Sequence, residues 1–284
     1  MKLVLKQLTI ATALLLPSIA NAALPIEKIS LPDGFEISSY ASNVPNARQM
    51  ALGDKGTLFV GSRKAGKVHA LIDSNNDYQA DVMLEVASEL FLPSGITFHQ
   101  GDLYVAEVDK IWRYPNIESS LPKIPQPELV YDKLPNKSHH GWKFIRFGPD
   151  GLLYIPIGAP CNVCESEAPY SSIIAINVKT GATEQVASGV RKVVAFDWSV
   201  DNNQLWFADI GRDWMGDNLP PDEINKVELT GSHYGFPYIH ATDIVEPAYD
   251  KPKNLKVVAP NYELPAHVGA KGMHFYRGSQ FPER

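Results

Sequence analysis

The chain has 284 residues, with 26 Lys and Arg against 32 Asp and Glu, which gives a formal net charge of −6. This acidic balance, without any cluster of basic residues, excludes nucleic acid as an expected partner, because phosphate binding draws on concentrated Lys and Arg. The 22 prolines and 20 glycines, together with the lack of long stretches of helical periodicity, favour a β-rich fold.

The first 22 residues have the pattern of a secretory signal peptide. Lys2 and Lys6 give a basic start, residues 8–16 form an apolar run, and residues 20–22 (Ala-Asn-Ala) form a small-x-small cleavage site. The run is too short to span a bilayer, and no later segment reaches the roughly 20 apolar residues that a membrane helix needs. We therefore expect a cleaved signal peptide at residues 1–22, no transmembrane segment, and a periplasmic or secreted protein.

A strand-turn-strand unit recurs about every 50 residues along the rest of the chain. Each copy has an apolar strand, a turn rich in Gly, Asp or Asn, and a second strand that opens with Leu. The copies are MALGDKGTLFVGSR (50–63), ITFHQGDLYVAEV (96–108), IRFGPDGLLYIPIG (145–158) and AFDWSVDNNQLWFADIG (195–211). Further strand pairs between the copies, at 67–86 and 171–187, complete four-stranded units that are typical of propeller blades. A two-sheet sandwich is the alternative, but it does not explain the repeated unit.

One of these intervening hairpins contains DSNNDYQAD (73–81), in which carboxylates and amides alternate as they do in calcium loops. The stretch lacks the Gly and the closing Glu of an EF-hand, and it lies between two strands. An exposed hairpin loop is the better interpretation.

A fifth copy begins at GMHFYRGSQFP (272–282), and the pattern requires another strand after it. The sequence stops at Arg284 in the middle of this unit. We therefore expect a propeller domain at residues 23–284 whose last blade is missing or incomplete. Such a ring would have open sheet edges, because propellers close by pairing their first and last blades.

The segment SHHGWKFIRFGPDGLLYIPIGAPCNVC (138–164) places two histidines before one strand and two cysteines after the next. Cys161 and Cys164 predict a disulfide, because an exported protein meets an oxidising compartment. A haem or zinc role is the weaker alternative, because c-type haem attachment needs His where Glu165 stands and zinc needs two more ligands. On the pattern alone, His139 and His140 are either a polar turn or candidate proton acceptors.

Five stretches together carry a family resemblance. They are LPDGFEISSYASNVPNARQMA, HHGWKFIRFGPDGLLYIPIGAPCNVC, GVRKVVAFDW, FADIGRDWMGDNLPPDEINKV and GSHYGFPYIH, in this order. They resemble the exported sugar dehydrogenases that use pyrroloquinoline quinone (PQQ), of the soluble glucose dehydrogenase and sorbosone dehydrogenase kind, and most of all the sorbosone branch. The resemblance covers residues 29–284 and implies an all-β, six-bladed β-propeller, here with its last blade missing or incomplete.

The resemblance also implies roles for individual residues. His140 matches the base that takes the proton of the sugar hydroxyl, a task suited to imidazole. Arg191 matches the arginine that holds the quinone oxygens, and Lys192, where the family usually has Asn, is the second candidate cofactor-binding residue. His139 is the neighbour that would orient or tune the base.

Calcium is the second cofactor that the resemblance implies. Gly211 and Arg212 occupy the positions whose backbone carbonyls hold the calcium ion that bridges protein and quinone, and carbonyl oxygen is a suitable hard ligand. Asp222 and Glu223 are candidates for a second, structural calcium site with the HYGFP turn. An acidic loop that faces solvent is the alternative for this pair.

The function implied is PQQ- and calcium-dependent oxidation of an aldose or sugar aldehyde at C1, giving a lactone or an acid. The partners expected are a small sugar substrate and an external electron acceptor. One alternative is a non-catalytic, truncated propeller relic. Another is a metal-dependent lactonase propeller, which would need several acidic and Asn side chains converging on the channel.

Overall fold

The computed structural model describes residues 25–281, and the predicted signal peptide at residues 1–22 lies outside them. The chain divides into two compact units, Met1–Ser39 and Tyr40–Arg284. The described part of the first unit contains a short 3₁₀ helix at Ile26–Lys28. Across the described residues, no helix has the length and apolar character needed to cross a membrane.

The described part of the second unit contains four larger sheets, which we call blades 1 to 4 in chain order, and a separate two-stranded hairpin. The strands of blade 1 are β1 (Ala47–Leu52), β2 (Leu58–Ser62), β3 (Val68–Ile72) and β4 (Val82–Ala87). The strands of blade 2 are β5 (Gly95–His99), β6 (Asp102–Ala106), β7 (Ile111–Tyr114) and β8 (Glu128–Tyr131), and the short helix α1 (Ile117–Ser120) lies between the last two. In both blades the strands pair in sequence order.

Blades 3 and 4 continue the same pattern, except that the chain adds a further strand to blade 3 before it forms the last strand of blade 4. Blade 3 has β9 (Arg146–Phe147), β10 (Leu153–Ile157), β11 (Ser172–Ile176) and β12 (Thr183–Ser188). Blade 4 has β13 (Val193–Trp198), β14 (Leu205–Asp209) and β15 (Pro221–Lys226). The chain then returns to blade 3, where β16 (Ser232–His233) pairs in parallel with β12. It forms the hairpin of β17 (Ile239–His240) and β18 (Ile244–Val245), and β19 (Tyr262–Ala266) completes blade 4 beside β15.

The core consists of three clusters that lie between successive blades. The cluster between blades 1 and 2 is centred on Phe59, Ile96 and Leu103. Ile145, Ile155 and Ile174 belong to the cluster between blades 2 and 3, and Phe196, Phe207 and Trp198 to the cluster between blades 3 and 4. Because a blade packs on both faces, β6 and β11 are buried at every position and read as short continuous apolar runs.

The all-β propeller and the four repeat copies predicted from the sequence are confirmed. The copies form the strand pairs β1–β2, β5–β6, β9–β10 and β13–β14, and the loop at 73–81 is an exposed connection between β3 and β4. The predicted strand at the start of the fifth copy is absent from residues 272–281. This segment instead lies against β13, where the buried carboxylate of Asp197 accepts hydrogen bonds from the Phe275 amide (2.8 Å) and the Arg277 guanidinium (2.7 Å).

Candidate active site

The candidate site lies where the chain enters the innermost strands and leaves the second strands of the blades. Residues 138–144 lead into β9, residues 189–192 lead into β13, and residues 210–220 follow β14. Antiparallel pairing puts the start of an innermost strand beside the end of the second strand. The segments that the sequence singled out therefore meet at one end of the central channel.

A cavity at this end has a volume of about 630 Å³ and a cationic lining. The described residues around it include no Asp or Glu, and its basic residues are Arg48, Arg63, Lys143, Lys192 and Lys271. Such a cavity is suited to a ligand with several negative charges.

Trp142 gives this cavity an aromatic wall between two cations. The Arg63 guanidinium carbon lies 3.9 Å from the centroid of its ring, and the Lys192 Nζ lies 4.4 Å from it. Both contacts are cation–π interactions, which are strongest when water is excluded. The Nε of Arg63 is buried without a hydrogen-bond partner, so this guanidinium has a donor left for a ligand. A flat, anionic molecule would match this combination of ring and charge.

Two lysines of the cavity have a lower pKa than an exposed lysine has. Burial lowers the pKa of Lys143 to about 8, although Asp109 acts in the opposite direction. Burial also lowers the pKa of Lys192 to about 8, with further contributions from Lys271, Arg191 and Arg63. The shift of Lys192 shows that it is repelled by neighbouring cations in a confined space, and an anion would relieve this repulsion.

His140 lies in a smaller cavity of about 250 Å³ that shares Lys192 and Lys271 with the larger one. Its Nδ1 lies 3.0 Å from the carbonyl oxygen of Ala159. That carbonyl can only accept, so Nδ1 carries the hydrogen and Nε2 is the unprotonated nitrogen. Burial, followed by the charges of Arg191, His139 and Lys192, lowers the pKa of His140 to about 3. The ring is therefore neutral across the physiological range and can accept a proton.

Gly158, directly after β10, leaves the space that the backbone and Cβ of His140 occupy. A Cβ at Gly158 would lie 2.7 Å from the His140 Cβ and 2.9 Å from its carbonyl oxygen. Only a residue without a side chain fits there. His140 itself has a φ of 50°, a left-handed conformation that is uncommon outside glycine.

The structure places Arg191 differently from the sequence-based prediction. Its five side-chain donors all point at protein acceptors: the carbonyls of Ile210 and Gly211, the carbonyl and side-chain oxygen of Asn162, and the carboxylate of Asp213. No donor is left for a quinone in this arrangement. Arg191 instead ties the segment after Ala159 to the loop after β14, beside the base.

Asp209, the last residue of β14, fixes the backbone of the two predicted cofactor-binding residues. Its carboxylate accepts hydrogen bonds from the amides of Arg191 (2.8 Å) and Lys192 (2.6 Å). Complete burial raises its pKa to about 6. The same burial, reinforced by the charge of Asp209, raises the pKa of Glu223 to about 8. The backbone at the start of β13 is thus held by a buried acid rather than by sheet pairing alone.

The residues predicted for the two calcium sites have protein partners in this structure. The carbonyl of Gly211 accepts a 2.8 Å hydrogen bond from the Arg191 guanidinium. Asp222 and Glu223 are neighbours on β15 and therefore point to opposite faces of the sheet. Asp222 faces Gly211 and the small cavity, whereas Glu223 faces Tyr234 and Phe236 of the HYGFP turn. Arg212 turns its side chain away, to Glu246 at 2.6 Å.

The predicted disulfide between Cys161 and Cys164 is confirmed, with 6.1 Å between the two Cα atoms. The loop that it closes contains Asn162, whose side-chain oxygen accepts hydrogen bonds from both Arg191 (2.7 Å) and the amide of Asp213 (2.9 Å). The disulfide-bonded loop is therefore part of the wall of the candidate site.

Sequence reasoning missed several residues that line the two cavities. Arg63 directly follows β2, the position that Gly158 and Ile210 occupy in the third and fourth copies, and this equivalence was available in the sequence. Trp142 lay within a quoted motif without a role. No sequence pattern pointed to Lys271, because this residue lies outside the repeat copies.

An all-β propeller with a neutral histidine beside a cationic, aromatic cavity defines the class of protein. Residues 107–284 match the family described as Glucose / Sorbosone dehydrogenase. An uncharacterized protein of Borreliella burgdorferi is 34% identical over 288 residues, which cover 96% of this chain and 74% of that protein. The chain belongs to the glucose/sorbosone dehydrogenase family.

Solved structures share the fold at low sequence identity. The calcium structure of a Trichoderma reesei carbohydrate-active enzyme of family AA12 has a TM-score of 0.70 and 17% identity, over 84% of this chain and 72% of that one. The holo form of the pyranose dehydrogenase PQQ domain from Coprinopsis cinerea has a TM-score of 0.69 and 14% identity, over 84% and 70%. The PQQ-bound aldose sugar dehydrogenase from Streptomyces coelicolor has 0.58 and 18%, over 75% and 69%.

Proposed function

We propose that the protein is a PQQ-dependent sugar dehydrogenase that oxidises an aldose or sugar aldehyde at C1, with His140 as the base. The observation that carries the proposal is the state of His140. Its Nδ1–H is donated to the carbonyl of Ala159, which leaves Nε2 unprotonated in a residue that lines the small cavity. The low pKa of this ring keeps it neutral at pH 7, so that the lone pair of Nε2 is not occupied by a proton.

The cationic cavity is the proposed binding site for the quinone. PQQ is a flat aromatic quinone with three carboxylates, and it supplies a two-electron acceptor for hydride when bound. Arg48, Arg63 and Lys143 would pair with its carboxylates, and the ring of Trp142 would support its face. Two structures with the same fold support this choice, the holo form of the PQQ domain from Coprinopsis cinerea and the PQQ-bound form of the enzyme from Streptomyces coelicolor.

The reaction needs one proton transfer by the protein. His140 Nε2 takes the proton of the C1 hydroxyl, or of the hydrate of an aldehyde, as the hydride leaves C1. The C1–H bond breaks and a C=O bond forms, which gives the lactone or the acid. The 3.0 Å bond to Ala159 holds the ring and its tautomer during this transfer. The charge of the neighbouring Arg191 drives the proton on to solvent afterwards, because it disfavours the imidazolium.

Calcium does not fit the residues predicted for it in this arrangement, although one structure with the same fold is described as a calcium structure. The Gly211 carbonyl is already paired with the positive Arg191 guanidinium, and a second cation there would be repelled. We therefore expect the apo protein to unfold at the same temperature in EDTA and in millimolar calcium. A clear rise of the melting temperature with calcium would contradict this account of Arg191.

The lactonase alternative is less favoured, because it needs metal-binding acidic side chains in the channel. The described lining of the large cavity is cationic instead. Export of the protein, a six-bladed ring and membership of the sorbosone branch are parts of the same proposal. They rest on the signal-peptide pattern of residues 1–22 and on the five stretches that carry the family resemblance, among them 139–164, 189–198 and 207–227.

The test is reconstitution with PQQ, followed by reduction of an artificial dye in the presence of aldoses. His140→Asn should lower kcat by about 10²- to 10⁴-fold, the usual contribution of a general base. PQQ binding, followed by fluorescence titration, should change little, because the base acts on the transition state. His139→Asn is the matched control and should affect turnover far less. Full turnover by His140→Asn would refute the role of this residue.

A further inference from the structure

Lys143 is an almost fully buried lysine in the wall of the cationic cavity. It is 3% exposed and lines the cavity of about 630 Å³. Within the described residues, its Nζ has neither a hydrogen-bond partner nor an ion-pair partner. Buried lysines are normally paired, because a charge in apolar surroundings costs free energy. A buried amine without a partner, in the wall of a cavity, is available to a molecule that enters the cavity.

The backbone of Lys143 is held in place from two neighbouring blades. The Ser94 hydroxyl, just before β5, donates to the carbonyl of Lys143 at 2.8 Å. Gln49 of β1 donates to the carbonyl of Ile145 at 2.7 Å and accepts from its amide at 3.1 Å. A Cβ at Gly95 would lie 3.0 Å from the Lys143 carbonyl oxygen, so a glycine allows this close packing. The amine therefore starts from a fixed backbone.

Burial makes part of the Lys143 side chain neutral at physiological pH. It lowers the pKa to about 8, against the opposing charge of Asp109, so about a tenth of the amine is neutral at pH 7. A neutral amine attacks carbonyl carbon, and desolvated lysines form imines in this way. A ligand that fills the cavity does not remove the burial that causes this shift.

Lys192 lines the same cavity and has a similarly lowered pKa, but it is a weaker candidate for this chemistry. Its Nζ lies 4.4 Å from the centroid of the Trp142 ring, a contact that favours the charged amine. Part of its shift comes from neighbouring cations, and a bound anion would cancel their repulsion. Lys143 is therefore the better nucleophile once an anion has entered the cavity.

The rest of the cavity selects the kind of carbonyl compound. Arg48 and Lys271 add positive charge to its lining, and the buried Nε of Arg63 has no hydrogen-bond partner. These groups suit a phosphate or a carboxylate. The ring of Trp142 adds a surface for a flat or apolar part of the same molecule. An aldehyde that carries an anionic group matches both the amine and its surroundings.

We propose that Lys143 is a nucleophilic amine that forms a reversible imine with aldehydes bearing a phosphate or carboxylate group, bound in the cationic cavity. The amine nitrogen adds to the carbonyl carbon and a C–N bond forms. Both amine hydrogens then leave with the carbonyl oxygen as water, which gives the C=N bond and needs no oxidant or reductant. The inference goes beyond the proposed sugar oxidation and does not depend on it.

The first experiment maps the reactive lysine in the apo wild type. Pyridoxal 5′-phosphate, an aromatic aldehyde with a phosphate group, is the probe, added in equimolar amount at pH 7. Cyanoborohydride then reduces the imine to a stable amine, and peptide mass spectrometry locates the label. Lys143 should carry most of it. A label found mainly on Lys192, or on exposed lysines such as Lys55, would overturn the proposal.

The second experiment tests the amine and the anionic group separately. Lys143→Arg keeps the positive charge without an amine that forms an imine, and it should lose most of the label. The exposed Lys64→Arg is the control and should keep the label. Pyridoxal, which has no phosphate, should need an about tenfold higher concentration to label Lys143 equally. Full labelling of Lys143→Arg, or equal labelling by both aldehydes, would contradict the proposal. The mapping in the wild type decides the question if Lys143→Arg does not fold.

Discussion

The protonation state of His140 makes a prediction about stability that requires no cofactor. The folded protein holds the pKa of this ring at about 3, whereas an unfolded chain has it near 6.5. Between these values the unfolded chain binds a proton that the folded chain does not. The contribution of His140 to stability is therefore fully favourable above pH 6.5 and is lost progressively as the pH falls.

The size of this effect depends on how far the pH lies below 6.5, the pKa of this side chain in the unfolded chain. At pH 4.5 the full linkage amounts to about 2.7 kcal/mol, because each pH unit corresponds to about 1.36 kcal/mol. The ring is only partly buried and solvent screens part of the interaction, so we expect about 1–2 kcal/mol. His140→Asn removes the titration, and Asn tolerates the left-handed backbone of this position.

The assay is urea unfolding of the apo wild type and of His140→Asn at pH 7 and pH 4.5. The other buried histidines titrate in both proteins, so their contributions cancel in the comparison. The wild type should lose about 1–2 kcal/mol more than the variant between the two pH values. Equal losses would show that His140 is not held neutral, and the argument for it as a ready base would fail.

Three further predictions follow from the contacts described above. Trp142→Leu should weaken PQQ binding about tenfold in a fluorescence titration, with kcat nearly unchanged, and an unchanged affinity would exclude the aromatic wall from the quinone site. Asp197→Asn should destabilise the protein by about 1–3 kcal/mol in urea unfolding, because the buried carboxylate is lost as the shared partner of the partly exposed Arg146 and Arg277, whereas the exposed Asp201→Asn should stay within about 0.5 kcal/mol. Thiol titration of denatured, non-reduced protein should find neither Cys161 nor Cys164 free, and two titratable thiols would contradict the disulfide.

Local sequence patterns were sufficient to predict the blades. In each copy the apolar strands flank a turn of Gly, Asp or Asn residues, and neither strand needs a distant partner to be recognised. The predicted strand in the fifth copy failed for the opposite reason. Residues 272–281 have strand-like composition, but within the described residues no further strand lies beside them, and the Phe275 amide donates to the carboxylate of Asp197 instead.

The site was harder to predict, because its contacts join loops that are far apart in the sequence. His140 was found through the family resemblance. The structure explains why its ring is neutral, because burial and the neighbouring charges lower its pKa. The guanidinium of Arg191 donates hydrogen bonds to Asn162 and Gly211, and these contacts depend on how two loops that are far apart in the sequence pack together. The pairing of Arg63 with Trp142 depends in the same way on the packing of blade 1 against the entry to blade 3.

The ion pair between Arg146 and Asp197 has a consequence for how the repeats assemble. The two residues occupy the same position in consecutive copies, since Arg146 pairs with Tyr154 and Asp197 with Trp206 across the innermost hairpin. Their side chains meet at 2.7 Å between blades 3 and 4. Repeats with similar sequences can exchange partners between chains during folding. Two copies of blade 4 placed side by side would bring together two carboxylates, and two copies of blade 3 would bring together two guanidinium groups. Opposite charges at one repeat position therefore favour the pairing of blade 3 with blade 4 over the pairing of two like blades.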